Sequence, residues 1–170
     1  MPNILCKIFY YIHYFSILGL IVHSLGTKDG ESTEGYLGKK YSKSFGKNLK
    51  TEDVHTVPEI FFDTSEPDAK IAVCVKIMAK QIRAIYEAFD SQRKYIIYGS
   101  SLLMSYDADA VKRFQDEDID EKELEKYVNV KLIDFAHAFP AEGAKDENFL
   151  RGLSNLLTLF EDFYKKLMVA

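Results

Sequence analysis

A chain of 170 residues with 47% hydrophobic and 14% aromatic side chains carries enough apolar material for a packed core, which excludes wholesale disorder. Its formal net charge of −4 provides no global attraction to nucleic acid, so any polyanion it binds has to meet a local basic patch. The two cysteines, Cys6 and Cys74, make no disulfide framework and read as reduced, packed thiols of a cytoplasmic or nuclear protein.

After Lys7, an apolar run extends from Ile8 to Val22. Three readings stand: a buried strand behind an atypical leader, a signal peptide cleaved near Val22-His23-Ser24, or an anchor. A spanning helix wants roughly 20 apolar residues. This run is shorter and contains His13, Ser16 and several tyrosines, so stable membrane insertion is not expected. Its β-branched and aromatic content suits a strand over 16–25. Gly26 to Gly35 is polar and turn-rich, and 36–42 returns as a second strand, antiparallel to the first. Thr51 with Glu52 and Asp53 opens a helix that Pro58 limits, and a loop follows through Thr64-Ser65-Glu66-Pro67.

The clearest long helix is predicted over 68–92. Asp68 caps it, and Ile71, Val75, Met78, Ile82, Ile85 and Phe89 recur at four- and three-residue spacing on one stripe. Lys76, Lys80 and Arg83 lie off that stripe, either as a strip toward an anionic ligand or as the solvated face such spacing usually marks. The stretch 94–107 reads as extended, interrupted at Gly99 where a missing side chain permits a bulge or close approach. Ser100 and Ser101 have the ordinary role of hydroxyls bonding nearby backbone. Residues 108–127, with Asp116-Glu117-Asp118-Ile119-Asp120-Glu121 at their centre, form an acidic insertion expected to project into solvent, with a short helix over 120–126.

The next strand, 128–133, ends on Asp134. An acid there suits a turn or a helix cap, and equally a carboxylate held at the mouth of a strand can ligate a hard divalent cation. His137, three residues on, is by itself a hydrogen-bonded turn histidine. The last helix is predicted over 146–167. Asp146 and Glu147 meet its amino-terminal dipole, Lys165 and Lys166 its other end, and Phe149, Leu153, Leu156, Leu157, Phe160, Phe163 and Leu167 form its buried face. Gly152 inside it calls for close packing against a neighbour.

Taken in order, Ser100-Ser101-Leu102-Leu103 with Tyr106-Asp107, then Ile133-Asp134-Phe135-Ala136-His137, then Asp146-Glu147 with Phe149, Gly152-Leu153 and Asn155-Leu156 resemble the carboxy-terminal half of the inositol polyphosphate kinase family. The resemblance is to its multikinase and hexakisphosphate-kinase branches, which carry Asp-Phe-Ala. It runs from Tyr95 to Leu167, is fainter from Leu18 to Phe89, and stops before Phe15. It implies transfer of the ATP γ-phosphate to an inositol phosphate. Asp134 would be the Mg²⁺ ligand, Ser101 would lie beside the metal and the nucleotide phosphates, and His137 would approach the inositide. Family members begin with a nucleotide-binding lobe carrying an essential lysine. A Pro-x-x-x-Asp-x-Lys-x-Gly signature follows, whose acid and lysine serve the inositide and the transferred phosphate. Neither Pro58 nor Pro67 opens that spacing.

The expected architecture is therefore α+β: an antiparallel sheet with packed helices, resembling the carboxy-terminal lobe of these kinases with the amino-terminal lobe missing. Residues 1–15 form a hydrophobic leader and 16–170 a partial kinase domain. The competing class is a non-catalytic truncated isoform or pseudokinase. A third, a secreted or tethered domain, would be removed from cytosolic ATP.

Overall fold

The computed structural model describes residues 3–11, 14–24, 37–41, 43–64, 68–114 and 120–169. Its strands are β1 (Asn3–Tyr11), β2 (Tyr14–Ser24), β3 (Leu37–Tyr41), β4 (Tyr95–Tyr98), β5 (Ser101–Asp107), β6 (Val128–Ile133) and β7 (His137–Pro140). Five make one antiparallel sheet in the order β3-β2-β1-β5-β6, while β4 and β7 pair separately. The helices are α1 (Lys43–Asn48), α2 (Val57–Phe62), α3 (Ala69–Ser91), α4 (Ala108–Arg113), α5 (Glu121–Leu124) and α6 (Glu147–Met168), with 3₁₀ turns at Thr51–Thr56 and Glu125–Tyr127. None of the described helices is long and apolar enough to cross a membrane.

The strand expected over 16–25 is β2, and the stretch before it, expected as a leader, forms a strand of its own, β1. β1 lies in the middle of the sheet, pairing with β2 on one side and β5 on the other. Strands are usually about 3 to 10 residues long, so a run from Ile8 to Val22 exceeds what one strand accommodates. That length was the signal for a break. The interruption expected at Gly99 separates β4 from β5, and the two extended segments belong to different sheets. Gly99 has φ +67°, and a Cβ added there would meet nothing within 4 Å. The position needs glycine for its left-handed backbone rather than for room.

Helices α3 and α6 pack on one another, α3 also against β6 and α6 against β2. Asp68 caps α3 through the Lys70 and Ile71 amides, and Ile71, Val75, Met78 and Ile82 are buried as the stripe predicts. All seven apolar residues assigned to the inner face of α6 are buried, and so is Gly152. On β5 and β6, Leu102, Met104 and Tyr106 stand in register with Leu132, Val130 and Val128, and these rows meet the helices. Pro58 starts α2 rather than only ending what precedes it, because its missing N–H costs nothing in a first turn. Phe61 and Phe62 of α2 then join Tyr106, Phe160 and Phe163 in an aromatic cluster with ring centroids 4.8 to 6.5 Å apart. Cys74 sits in this interior, and burial, helped by the charge of Asp68, pushes its thiol up to about 12.

Of the acidic stretch expected to project into solvent, the part over 120–127 instead packs on α3. Leu124 is fully buried, and Glu121 and Glu125 pair with Lys76 and Lys80 at 2.6 and 3.2 Å. Arg83 pairs with Glu161 of α6. The basic strip of α3 is thus matched by glutamates from its neighbours, although pairs this exposed contribute about 0–1 kcal/mol each.

One edge of each sheet is met by a side-chain amide. On edge strand β6 the Gln81 amide donates to the Val128 carbonyl at 3.1 Å and accepts from the Val130 N–H at 2.7 Å. On β4 the Gln92 amide does the same for Tyr95, donating to its carbonyl at 2.7 Å and accepting from its N–H at 2.9 Å. Each amide stands in for the peptide group of a missing neighbouring strand. Gln81→Met keeps the bulk and removes the amide. It should destabilise the fold by about 1–2 kcal/mol and speed hydrogen exchange at the Val130 amide ahead of Met104. Unchanged exchange at Val130 would mean the cap does not hold the strand.

Candidate functional site

The site residues lie where β5 begins and β6 ends. Ser101 opens β5 and stands in register with Ile133, the last residue of β6, so the two strands deliver Ser100-Ser101 and Asp134 to the same end of the sheet. Asp134 is exposed and adopts φ +66°, a left-handed conformation that costs a non-glycine residue energy and is tolerated best by Asp and Asn. It turns the chain out of β6 and into β7. Ser100 supports that turn, its Oγ donating to the Asp134 carbonyl oxygen at 2.8 Å.

The two adjacent serines therefore differ. Ser100 bonds nearby backbone, the ordinary role for such a hydroxyl. Ser101 is 1% exposed, and its Oγ is a buried polar atom without a hydrogen-bond partner. Such atoms are uncommon and each calls for an explanation, a missing ion or ligand among them. His137 is exposed at the start of β7, opposite Tyr98 on β4. Phe135 and Tyr95, both more than half exposed, line an apolar cavity of about 330 Å³ with Phe89, Ile97 and Ala138 beside this turn.

Among the described residues no three His, Cys, Asp or Glu side chains cluster as a protein-only metal cage. One carboxylate and one hydroxyl do fit the way Mg²⁺ is bound, through one or two protein oxygens while waters and substrate phosphates fill the remaining positions.

The model of the family described as inositol polyphosphate kinase matches residues 13–161. The chain belongs to the inositol polyphosphate kinase family. An inositol polyphosphate multikinase of Oryza sativa subsp. indica is 35% identical over 82 residues, which are 48% of this chain and 26% of that protein. The alpha multikinase of Arabidopsis thaliana is 28% identical over 102 residues, 58% of this chain and 33% of its own length. The chain thus spans about a quarter to a third of the curated relatives it matches. Two solved inositol phosphate multikinases share the fold. One superimposes with a TM-score of 0.70 at 18% identity, covering 96% of this chain and 80% of that one. The other, from S. cerevisiae in complex with ADP and Mn²⁺, does so with 0.69 at 20%, covering 95% and 78%.

β1 runs beside β5, with Phe9 in register with Ser101. In register, Lys7 stands opposite Leu103, two residues from Ser101, and the pairing of β1 with β2 shifts between Lys7 and Ile8.

The serine pair gives a stability test that needs no substrate. Ser100→Ala removes the support of a strained turn and should cost about 1 kcal/mol, whereas Ser101→Ala removes an unpaired buried hydroxyl and should be neutral or stabilising. Urea denaturation of both variants measures the difference. Equal losses would mean that Ser101 has a partner in the folded chain.

Proposed function

We propose that this chain carries the metal and inositide side of an ATP-dependent inositol phosphate kinase site, the reaction being transfer of the γ-phosphate to an inositol phosphate. The observation that carries the reading is the buried, unpartnered Ser101 hydroxyl one register step from the strand-terminal Asp134. A bound Mg²⁺ would supply neutralisation of charge on the nucleotide phosphates. The Asp134 carboxylate at the mouth of β6 would hold such a cation, and the Ser101 hydroxyl would offer it a second oxygen or a phosphate a donor. His137 meets the inositide from β7. Phosphoryl transfer depends on positioning and charge neutralisation rather than on covalent chemistry by the protein, so the strand ends are the functional element. The chain acts where ATP is available, in the cytoplasm or nucleus.

A metal test follows from charge. In isothermal titration with ADP, Asp134→Asn should abolish most of the Mg²⁺- or Mn²⁺-dependence of nucleotide binding, because a neutral amide does not offset the cation, and Ser101→Ala should cost less. Retained metal dependence in Asp134→Asn would remove the central assignment.

A second reading, a non-catalytic remnant, rests on the lack, in these 170 residues, of the Pro-x-x-x-Asp-x-Lys-x-Gly spacing and of a recognisable nucleotide-lobe lysine. Losing one preorganised charge contact costs on the order of 2.7–4 kcal/mol, so several lost together leave little. The 170-residue chain alone should phosphorylate inositol trisphosphate, pentakisphosphate or hexakisphosphate at close to the background rate. A longer product with a complete nucleotide lobe should be active. Robust turnover by the 170-residue chain, lost on Asp134→Ala, would refute the remnant reading and point to a substitute for the signature lysine.

A further inference from the structure

We propose that Asp146 is a positioning residue for this site: by holding β4 to the start of α6 it sets where His137 and Ser100 stand. The functional half of the inference rests on the reading of His137 as an inositide contact. Asp146 is 3% exposed, and both of its carboxylate oxygens accept backbone N–H groups. Oδ1 takes the Phe149 N–H at 3.1 Å, which caps α6. Oδ2 takes the Ile97 N–H at 2.8 Å, from a strand 49 residues away in sequence.

Capping accounts for only one of these bonds. A helix start is satisfied by one acceptor, which serine or threonine supplies as well as aspartate does. Here the two N–H donors come from different elements and each meets its own oxygen, and among side chains of this size only a carboxylate offers two acceptor oxygens. An amide of the same size would turn its NH₂ toward one of those donors.

What the second oxygen holds is β4, a strand of four residues whose one strand partner is the equally short β7. A two-stranded ribbon of this size has little stability of its own, so outside contacts decide where it sits. Gln92 holds its start at Tyr95 and Asp146 holds it at Ile97. From Ile97 two short routes reach the site. The next residue, Tyr98, is in register with His137. Beyond it, the left-handed Gly99 leads to Ser100, whose hydroxyl bonds the Asp134 carbonyl. A shift of Ile97 is therefore passed to both.

The test compares Asp146→Ser, which keeps a cap for α6 and loses the reach to Ile97, with Asp146→Asn, which keeps the size and one acceptor, in the full 170-residue chain. Amide exchange at Ile97, the imidazole resonances of His137 and His55, and calorimetric titration with inositol trisphosphate are measured. In both variants Ile97 should exchange faster and the His137 signals should move while those of His55, on a distant 3₁₀ turn, stay. Inositol trisphosphate affinity should fall about tenfold, and His137→Ala added to Asp146→Ser should cost no more than either change alone. Unmoved His137 signals in both variants would overturn the proposal, as would undiminished affinity despite faster exchange at Ile97. If the His137 signals move but the unmodified chain does not bind inositol trisphosphate, the positioning stands and the inositide reading falls. Should Asp146→Ser fail to fold, Asp146→Asn carries the same readouts.

Discussion

A backbone N–H at the edge of a sheet needs an acceptor, and a site built on strand ends is only as well placed as those edges. Here the ends of β6 and β4 carry Asp134, Ser100 and, through β7, His137, and both strands lie at edges. Their outward backbone groups are met by Gln81, Gln92 and Asp146. Gln81 projects from the middle of α3, Gln92 from the residue that ends it, and Asp146 from the residue that begins α6. The two long helices therefore do more than cover the sheet. Their packed interface is the frame to which the strand ends of the proposed site are tied.

That frame explains a division of labour along α3. Its inner stripe is apolar and continuous with the α6 face, and supplies most of the burial. Lys76, Lys80 and Arg83 on other faces are paired with glutamates of α5, the following 3₁₀ turn and α6. Gln81 lies between these roles, half-buried, where an uncharged side chain both donates and accepts. A lysine or glutamate there would satisfy one backbone group of β6 and leave the other unpaired.

What was legible in the sequence was what depends on local period and local chemistry. Helices α3 and α6 and their caps Asp68 and Asp146 follow from apolar spacing and from an acid placed just before the first turn, and strand β6 from its run of Val, Leu and Ile. What was not legible depends on partners far away. The tie between Asp146 and Ile97 joins residues 49 apart, as does that between Gln81 and Val130, and no period encodes such a pair. The break of the first apolar run into β1 and β2 was hidden because both strands are apolar. The different fates of Ser100 and Ser101 arise because Gly99 turns the chain between sheets, leaving one hydroxyl by the Asp134 carbonyl and the other inside the sheet. Asp134, Ser101 and His137 were nominated by ordered motifs rather than through physics; Asp134 follows the last residue of β6, Ser101 stands opposite that residue and His137 opens β7.

The anchoring of the acidic stretch has an evolutionary consequence. Asp107 caps α4 on one side, while Leu124, buried to the last atom, and the pairs of Glu121 and Glu125 with α3 pin the returning chain on the other. Phe114 and Asp120 are therefore each held independently of the chain between them. Closing a loop costs free energy only as the logarithm of its length, about 0.6 kcal/mol per doubling. This is consequently the place where a lineage can lengthen, shorten or rewrite the chain, or an experimenter can graft a reporter, while β5 and β6 keep their register and Asp134 keeps its position.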